Sequence, residues 1–155
     1  MDGRPPSRAV AVQTYGVRSP VATTRLAGLG RSVLQALKVR HAMLSITLVD
    51  ARAMATLNRR HLGHRGATDV ITFAFGADPS GVVVADVYIC LPVAREQARE
   101  HGVGVREELA RLVVHGVLHA CGLEHPENDD RTTSPMWKRQ ERLLERYWIT
   151  PVRRA

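Results

Sequence analysis

The chain has 155 residues, 45% of them hydrophobic, and carries a formal net charge of +7 from 22 basic and 15 acidic side chains. This length suits one domain with an ordinary core, so no disulfide is required, and Cys90 and Cys121, both in apolar runs, are predicted to be buried thiols rather than a disulfide. The positive charge favours an anionic partner. Aromatic residues make up only 5%, which argues against the base-stacking sheet that many single-strand binders use.

Neither a secretion signal nor a membrane span is predicted. The first eight residues have no apolar core of signal-peptide length, and the most apolar stretch, residues 82–94, is interrupted by Asp86. We therefore expect a soluble, cytoplasmic protein with no membrane partner. No linker divides the chain, so residues 1–155 are predicted to form one domain, in which residues 1–8 are flexible.

The pattern of apolar, turn and capping residues predicts an α+β fold with about four strands in a mixed sheet and about five helices. The predicted strands are residues 9–14, 45–49, 68–75 and 82–90. The predicted helices are residues 20–39, 51–61, 92–101, 105–121 and 135–148. Ser19 and Asp50 are the predicted N-caps of the first two helices. The turn chemistry of residues 76–81 makes the third and fourth strands a hairpin.

The fourth predicted helix is apolar on nearly every face between Leu112 and Leu118, apart from His115. A helix of this kind belongs in the interior of a domain. We therefore expect it to be central. The metal site described next is predicted to lie on this helix and on the loop that follows it.

Three histidines within eleven residues, His115, His119 and His125, are the strongest functional signal in the chain. His115 and His119 are one helical turn apart, so their side chains lie within about 40° on one face and about 6 Å apart along the axis. Gly122 can adopt the left-handed conformation that ends a helix and turns the chain back. The spacing therefore predicts that the three imidazoles bind one metal ion.

Three neutral nitrogens and an open fourth position are typical of catalytic zinc sites, whereas structural sites use four protein ligands. We therefore predict one Zn²⁺ per chain. Glu124 or Cys121 is a candidate for the fourth ligand. Cys121 is the poorer candidate, because it points about 160° away from His119 around the helix.

Gly116 separates this run from the metalloprotease pattern that it otherwise matches. The spacing equals that of His-Glu-x-x-His-x-x-Gly-x-x-His, but Gly116 stands where those proteases carry the glutamate that activates water. Glycine has no group to accept a proton, so a metalloprotease is disfavoured. A +2 ion without a carboxylate ligand is better matched to an anionic substrate such as a phosphodiester.

The run resembles the signature His-Gly-x-Leu-His-x-x-Gly-x-Asp-His of the YbeY family of bacterial endoribonucleases. Similar blocks occur elsewhere between about Leu57 and Leu144, and together they make the resemblance specific. These are Leu57-Asn58, Thr68-Asp69-Val70-Ile71-Thr72-Phe73, Ala85-Asp86-Val87, Gln97-Ala98, Glu108-Leu109, Met136 and Glu141.

The resemblance implies a zinc-dependent, single-strand-specific endoribonuclease that acts in the 3′-end maturation of small-subunit ribosomal RNA and in ribosome quality control. The metal at His115, His119 and His125 would activate water or stabilise charge at the scissile phosphate. Water and the RNA 2′-hydroxyl both stay open as the nucleophile. The implied partners are single-stranded ribosomal RNA, the small ribosomal subunit and its assembly factors, without DNA specificity.

Two departures from the family pattern concern the site. Glu124 replaces the usual aspartate beside the third histidine, which lengthens the reach of any hydrogen bond to a ligand. The family's arginine a few residues after Leu-Asn falls on Leu62 in ungapped register. Arg59, Arg60 or Arg65 could take its place as a phosphate contact, and Arg65 is our candidate.

The missing arginine and the missing general base keep a second hypothesis open. This is a non-catalytic, metal-stabilised assembly factor that binds pre-ribosomal RNA or protein. Asp86 and Asp69 each have either a functional or a purely structural role. The remaining histidines are predicted to lie at the surface: His41, His61, His64 and His101.

Overall fold

Four strands and five main helices make up the part of the chain that a computed structural model describes, residues 3–63, 66–125 and 133–154. The strands are β1 (Ser7–Tyr15), β2 (His41–Val49), β3 (Val70–Ala77) and β4 (Val83–Cys90). The helices are α1 (Thr23–Ala36), α2 (Ala51–Leu62), α3 (Leu91–His101), α4 (Val105–Ala120) and α5 (Pro135–Leu144). The last helix continues through a π-helical turn, Glu145–Ile149, into α6, Thr150–Arg154. The predicted α+β class is confirmed.

The strands form one mixed sheet in the order β1-β2-β4-β3. β2 is parallel to both β1 and β4, whereas β3 and β4 are antiparallel, as the predicted hairpin requires. β1 and β3 are the edges. The edge position of β3 leaves room for the cavity described below.

Helix α4 lies at the centre of the molecule. It packs with α1 against one face of the sheet, where Val87 is fully buried, and α2 covers part of the other face through Met54. Because side chains alternate along a strand, Asp86 points to the face opposite α4. The structure thus places Asp86 away from the histidine helix.

The first helix is shorter than predicted at both ends. The Ser19 hydroxyl accepts a hydrogen bond from the Val21 N–H at 3.2 Å, so Ser19 closes a local turn and the helix begins only at Thr23. At the other end the helix stops at Ala36, three residues before the predicted limit, and Lys38 follows with φ +60°. Asp50, in contrast, caps α2 as predicted, since its carboxylate accepts from the Ala53 N–H.

The strands β1 and β2 extend beyond their predicted limits because they pair along their whole length. The register aligns Ser7 with His41. β1 therefore begins within the first eight residues, which the sequence predicted to be flexible. His41 is buried, so its prediction as a surface residue was wrong, whereas His61 and His101 are exposed as predicted. His64 lies outside the described residues.

The C-terminal helix begins at Pro135 as predicted, and the Ser134 hydroxyl caps it by accepting from the Trp137 N–H. In the π-helical turn at its far end, Trp148 is buried and Tyr147 is only half-buried. In the described ranges, no helix combines the length and the apolar character needed to cross a bilayer.

Candidate metal centre

The chain reverses direction directly after the second histidine. Gly122 has φ +90°, and its N–H donates to the His119 carbonyl at 2.9 Å. The N–H of Leu123 donates to the Leu118 carbonyl at 3.0 Å. These two bonds define a Schellman motif, in which a glycine satisfies the last carbonyls of a helix. The predicted role of Gly122 in ending α4 is confirmed.

The reversal brings His115, His119 and His125 together. Their ring centroids are 4.6 to 5.2 Å apart, and one ligand nitrogen from each ring lies within 4.8 Å of the others. Each of the three residues is half-buried. Small side-chain rotations bring such nitrogens onto one ion at about 2.0 to 2.1 Å. The arrangement can therefore hold a metal ion.

The environment of His119 favours the protonation state that binds metal. Burial, and then the neighbouring rings of His115 and His125, lower the pKa of His119 to about 4, against the opposing effect of a hydrogen bond with the Leu123 backbone. His119 is therefore neutral at physiological pH, and only a neutral imidazole coordinates.

The two candidates for a fourth ligand have different surroundings. Cys121 is half-buried rather than fully buried, and burial raises the pKa of its thiol to about 11, so it is not a ready thiolate. Glu124 is exposed and lines the cavity beside the histidines. Neither belongs to the histidine cluster itself.

A glutamine on α5 contacts the first histidine, and the sequence analysis did not identify it. The amide oxygen of Gln140 lies 2.7 Å from Nδ1 of His115, and Gln140 is only 1% exposed. A signal was available, because Gln140 falls on the apolar stripe of α5, four residues from both Met136 and Leu144. A glutamine on such a stripe needs a buried hydrogen-bond partner.

The three histidines open into a cavity of about 800 Å³ between β3, α3, α4 and α5. Asp69, which precedes β3, lines it and accepts a hydrogen bond from Gln97 at 3.3 Å. Four carboxylates, but only one arginine, lie along the described wall. The carboxylates belong to Asp69, Glu108, Glu124 and Glu141, and the guanidinium to Arg111.

Arg111 is fully engaged by acidic neighbours. Its guanidinium donates to Glu107, Glu108 and Glu141 at 3.1 to 3.2 Å. Glu108 is 3% exposed and therefore needs this partner. His101, whose Nδ1 lies 3.7 Å from the same carboxylate, completes the group. Arg111 thus balances buried charge rather than offering a vacant binding site for an anion.

Two of the three arginines considered as replacements for the family's arginine lie on α2, whose last residue, Leu62, lines the cavity. Leu62 lines the cavity, and the exposed Arg59 and Arg60 occupy the last turn of α2. Arg65 lies outside the described residues. Of the three candidates, the structure therefore describes two, both within three residues of Leu62.

Replacing Gly122 by alanine should strain the turn that carries His125. Gly122 has φ +90°, and an L-residue in the left-handed region destabilises the fold by about 1–2 kcal/mol. A shift of the segment that carries His125 would relieve this strain but would move the histidine. We expect a less stable protein with several-fold weaker metal affinity, measured by denaturant unfolding and chelator competition. Gly102→Ala is the matched control, because Gly102 ends α3 with φ +66° but carries no histidine of the cluster. An equal loss of metal affinity in both variants would contradict this role of Gly122.

Three comparisons relate this chain to known proteins. A family model described as Endoribonuclease YbeY matches residues 17–148. A Frankia alni protein of that name is 40% identical over 159 residues, covering 95% of this chain and 86% of its own. A Beutenbergia cavernae protein of that name is 42% identical over 137 residues, covering 81% and 90%.

Another protein with a similar fold has a structure determined in solution. The solution structure of a Thermotoga maritima protein superposes with a TM-score of 0.63 at 25% identity, covering 94% of this chain and 93% of that one. The family match covers three of the four strands, β2 to β4, and the histidine helix, so it includes every residue of the candidate metal centre. The chain belongs to the Endoribonuclease YbeY family.

Proposed function

We propose that this protein is a zinc-dependent endoribonuclease that cleaves single-stranded RNA. We further propose that it acts in the cytoplasm on the 3′ end of small-subunit ribosomal RNA and in ribosome quality control. The observation that carries the proposal is the meeting of three imidazoles at the wall of a large cavity, in a cluster that includes no carboxylate from the described part of the chain. Family membership indicates that the substrate is RNA. We propose the small ribosomal subunit and its assembly factors as the partners.

His115, His119 and His125 are proposed as the ligands of one Zn²⁺. Imidazole nitrogens suit zinc, and three of them leave a coordination position open for the reaction. A zinc ion bound there supplies Lewis-acid chemistry, which acidifies water and withdraws charge from a phosphoryl oxygen.

The charge distribution of the cavity supports a metal-dependent interaction with RNA. Four carboxylates and one engaged guanidinium make the described wall acidic, so the wall alone repels a phosphodiester. The net positive charge of the chain must attract RNA from outside the cavity. We propose Arg59 and Arg60 as phosphate contacts at its mouth, and we retain Arg65 as the candidate for the missing family arginine.

The position of the histidines supports the proposed single-strand specificity. They are half-buried in the wall of a cavity, so a scissile phosphate must leave the outer surface of the nucleic acid to reach them. A single strand bends readily and can splay its nucleotides, whereas a duplex holds its phosphates on a stiff outer surface. Duplex RNA should therefore be a poor substrate.

The experiment that tests this function removes and restores the metal. A chelator-treated protein should lose cleavage of single-stranded RNA, and one equivalent of zinc should restore it, while duplex RNA and single-stranded DNA stay intact. A zinc-loaded protein that binds RNA without cutting it would instead identify the non-catalytic assembly factor. Product ends distinguish the nucleophile, because attack by the 2′-hydroxyl leaves a 2′,3′-cyclic phosphate and attack by water does not.

A further inference from the structure

We propose that Gln140 is a positioning residue for the metal centre. It holds the His115 ring with a proton on Nδ1, so that the lone pair lies on Nε2, the nitrogen that faces away from Gln140. This inference rests on the proposed metal-dependent function and concerns zinc affinity rather than RNA. Its basis is a hydrogen-bonded series that runs from Arg111 through Glu141 and Gln140 to His115.

The first link is the contact between Gln140 and the ring. The Gln140 amide oxygen and His115 Nδ1 are 2.7 Å apart, and the amide is almost completely buried. An amide oxygen only accepts hydrogen bonds, so Nδ1 must donate. A histidine with its proton on Nδ1 presents its lone pair on Nε2. The contact therefore selects one tautomer, provided that the Gln140 amide cannot rotate by about 180° and exchange its oxygen and nitrogen.

The second link prevents the amide from turning over. The Gln140 amide nitrogen donates to Glu141 Oε2 at 3.1 Å. Arg111 donates to both oxygens of that carboxylate through Nε, at 3.2 and 3.1 Å, and also through a terminal nitrogen. A carboxylate beside a guanidinium is ionised and only accepts, so the amide nitrogen must face it. The opposite end of the amide, the oxygen, must then face His115.

The series also joins two elements that are distant in sequence. His115 and Arg111 are one turn apart on α4, whereas Gln140 and Glu141 are neighbours on α5. The docking of α5 on α4 thus sets the orientation of a ligand on α4. Loss of a hydrogen bond to a metal-ligating histidine typically weakens metal binding by about 10–100-fold.

The test compares three variants for zinc affinity and for the His115 tautomer. Gln140→Leu removes the acceptor, Gln140→Glu keeps it, and Leu143→Ala weakens the same buried face of α5 without touching the ring. Zinc affinity is measured by chelator competition on folded protein, and the tautomer by ¹⁵N chemical shifts of the His115 ring in the metal-free protein. We expect Gln140→Leu to lose about 10–100-fold in affinity. We expect Gln140→Glu to retain far more, and Leu143→Ala to lose stability only.

Glu141→Gln keeps the proposal testable if Gln140→Leu does not fold. Glu141 is partly exposed, and an amide at this position can face Gln140 with either end. The amide of Gln140 is then free to turn, so we expect weaker zinc binding and a loss of the single Nδ1–H tautomer in the metal-free protein. Unchanged affinity and tautomer in Gln140→Leu, or in Glu141→Gln, would overturn the proposal. Wild-type protein that binds no zinc would overturn the proposed function instead.

Discussion

A His115→Ala variant should retain its fold, lose stoichiometric zinc and cleave single-stranded RNA no faster than background. Two imidazoles, His119 and His125, remain, and they leave zinc with too few protein ligands for a stable catalytic site. The truncation removes a half-buried ring and deprives Gln140 of its donor, so some stability is lost while the core residues of α4 stay buried. Metal content of the purified protein and the cleavage rate of an unstructured RNA measure both effects.

Thermal unfolding separates a lost ligand from a lost fold. Zinc that binds only the native state stabilises it by about 2.7 kcal/mol when its concentration is one hundred times the Kd. Zinc should therefore raise the Tm of the wild type and leave that of His115→Ala unchanged. His101→Ala is the control for metal content, because His101 lines the same cavity but lies outside the cluster. Cleavage at the wild-type rate by a zinc-free His115→Ala protein would refute a catalytic metal.

The parts of the site that were predictable from the sequence depend on local geometry. The pairing of His115 with His119 follows from the helical repeat, and Gly122 ends the helix through bonds to carbonyls only a few residues earlier. Asp50 at the start of α2 is a similar case. Each of these features is decided within a few residues, so the sequence alone was sufficient.

The features that were missed depend on contacts between distant segments. Gln140 reaches His115 only because α5 docks on α4, and His41 is buried only because β2 pairs with β1 along its full length. Ser19 illustrates a different difficulty, since a Ser-Pro pair suits both a helix start and a local turn. A single polar residue on an apolar stripe was the one sequence signal of the missed contact.

The charge of the chain and the charge of the cavity have opposite signs. The sequence predicted an anionic partner from the net charge of +7, yet the described cavity wall carries four carboxylates against one arginine. Basic residues can attract RNA at long range, while an acidic wall makes phosphate entry depend on a bound cation. Under the proposed function, this arrangement limits tight phosphate binding in the cavity to the metal-loaded protein.

The last prediction concerns Gly116. The structure shows that close packing, and not only the reaction that the site performs, favours glycine at this position. A Cβ at this position would lie 2.6 Å from Cγ1 of Val87, a fully buried residue of β4. Overpacking of a core costs about 1–3 kcal/mol, which outweighs the gain of about 1 kcal/mol that alanine brings to a helix interior. We expect Gly116→Ala to destabilise the protein, as measured by denaturant unfolding. Gly116→Glu, which restores the protease pattern, should be far worse because it also buries a carboxylate.

A double-mutant cycle with Val87→Ala tests whether this contact is the cause. Val87→Ala removes the two methyl groups and leaves only its own Cβ, 3.6 Å from the added one, which is an ordinary contact. The double variant should therefore be more stable than the sum of the single losses predicts. Gly28→Ala is the control, since its nearest neighbour is the flexible end of Arg31 at 3.8 Å, and it should stabilise α1. Strict additivity of Gly116→Ala and Val87→Ala would show that close packing on β4 does not require this glycine.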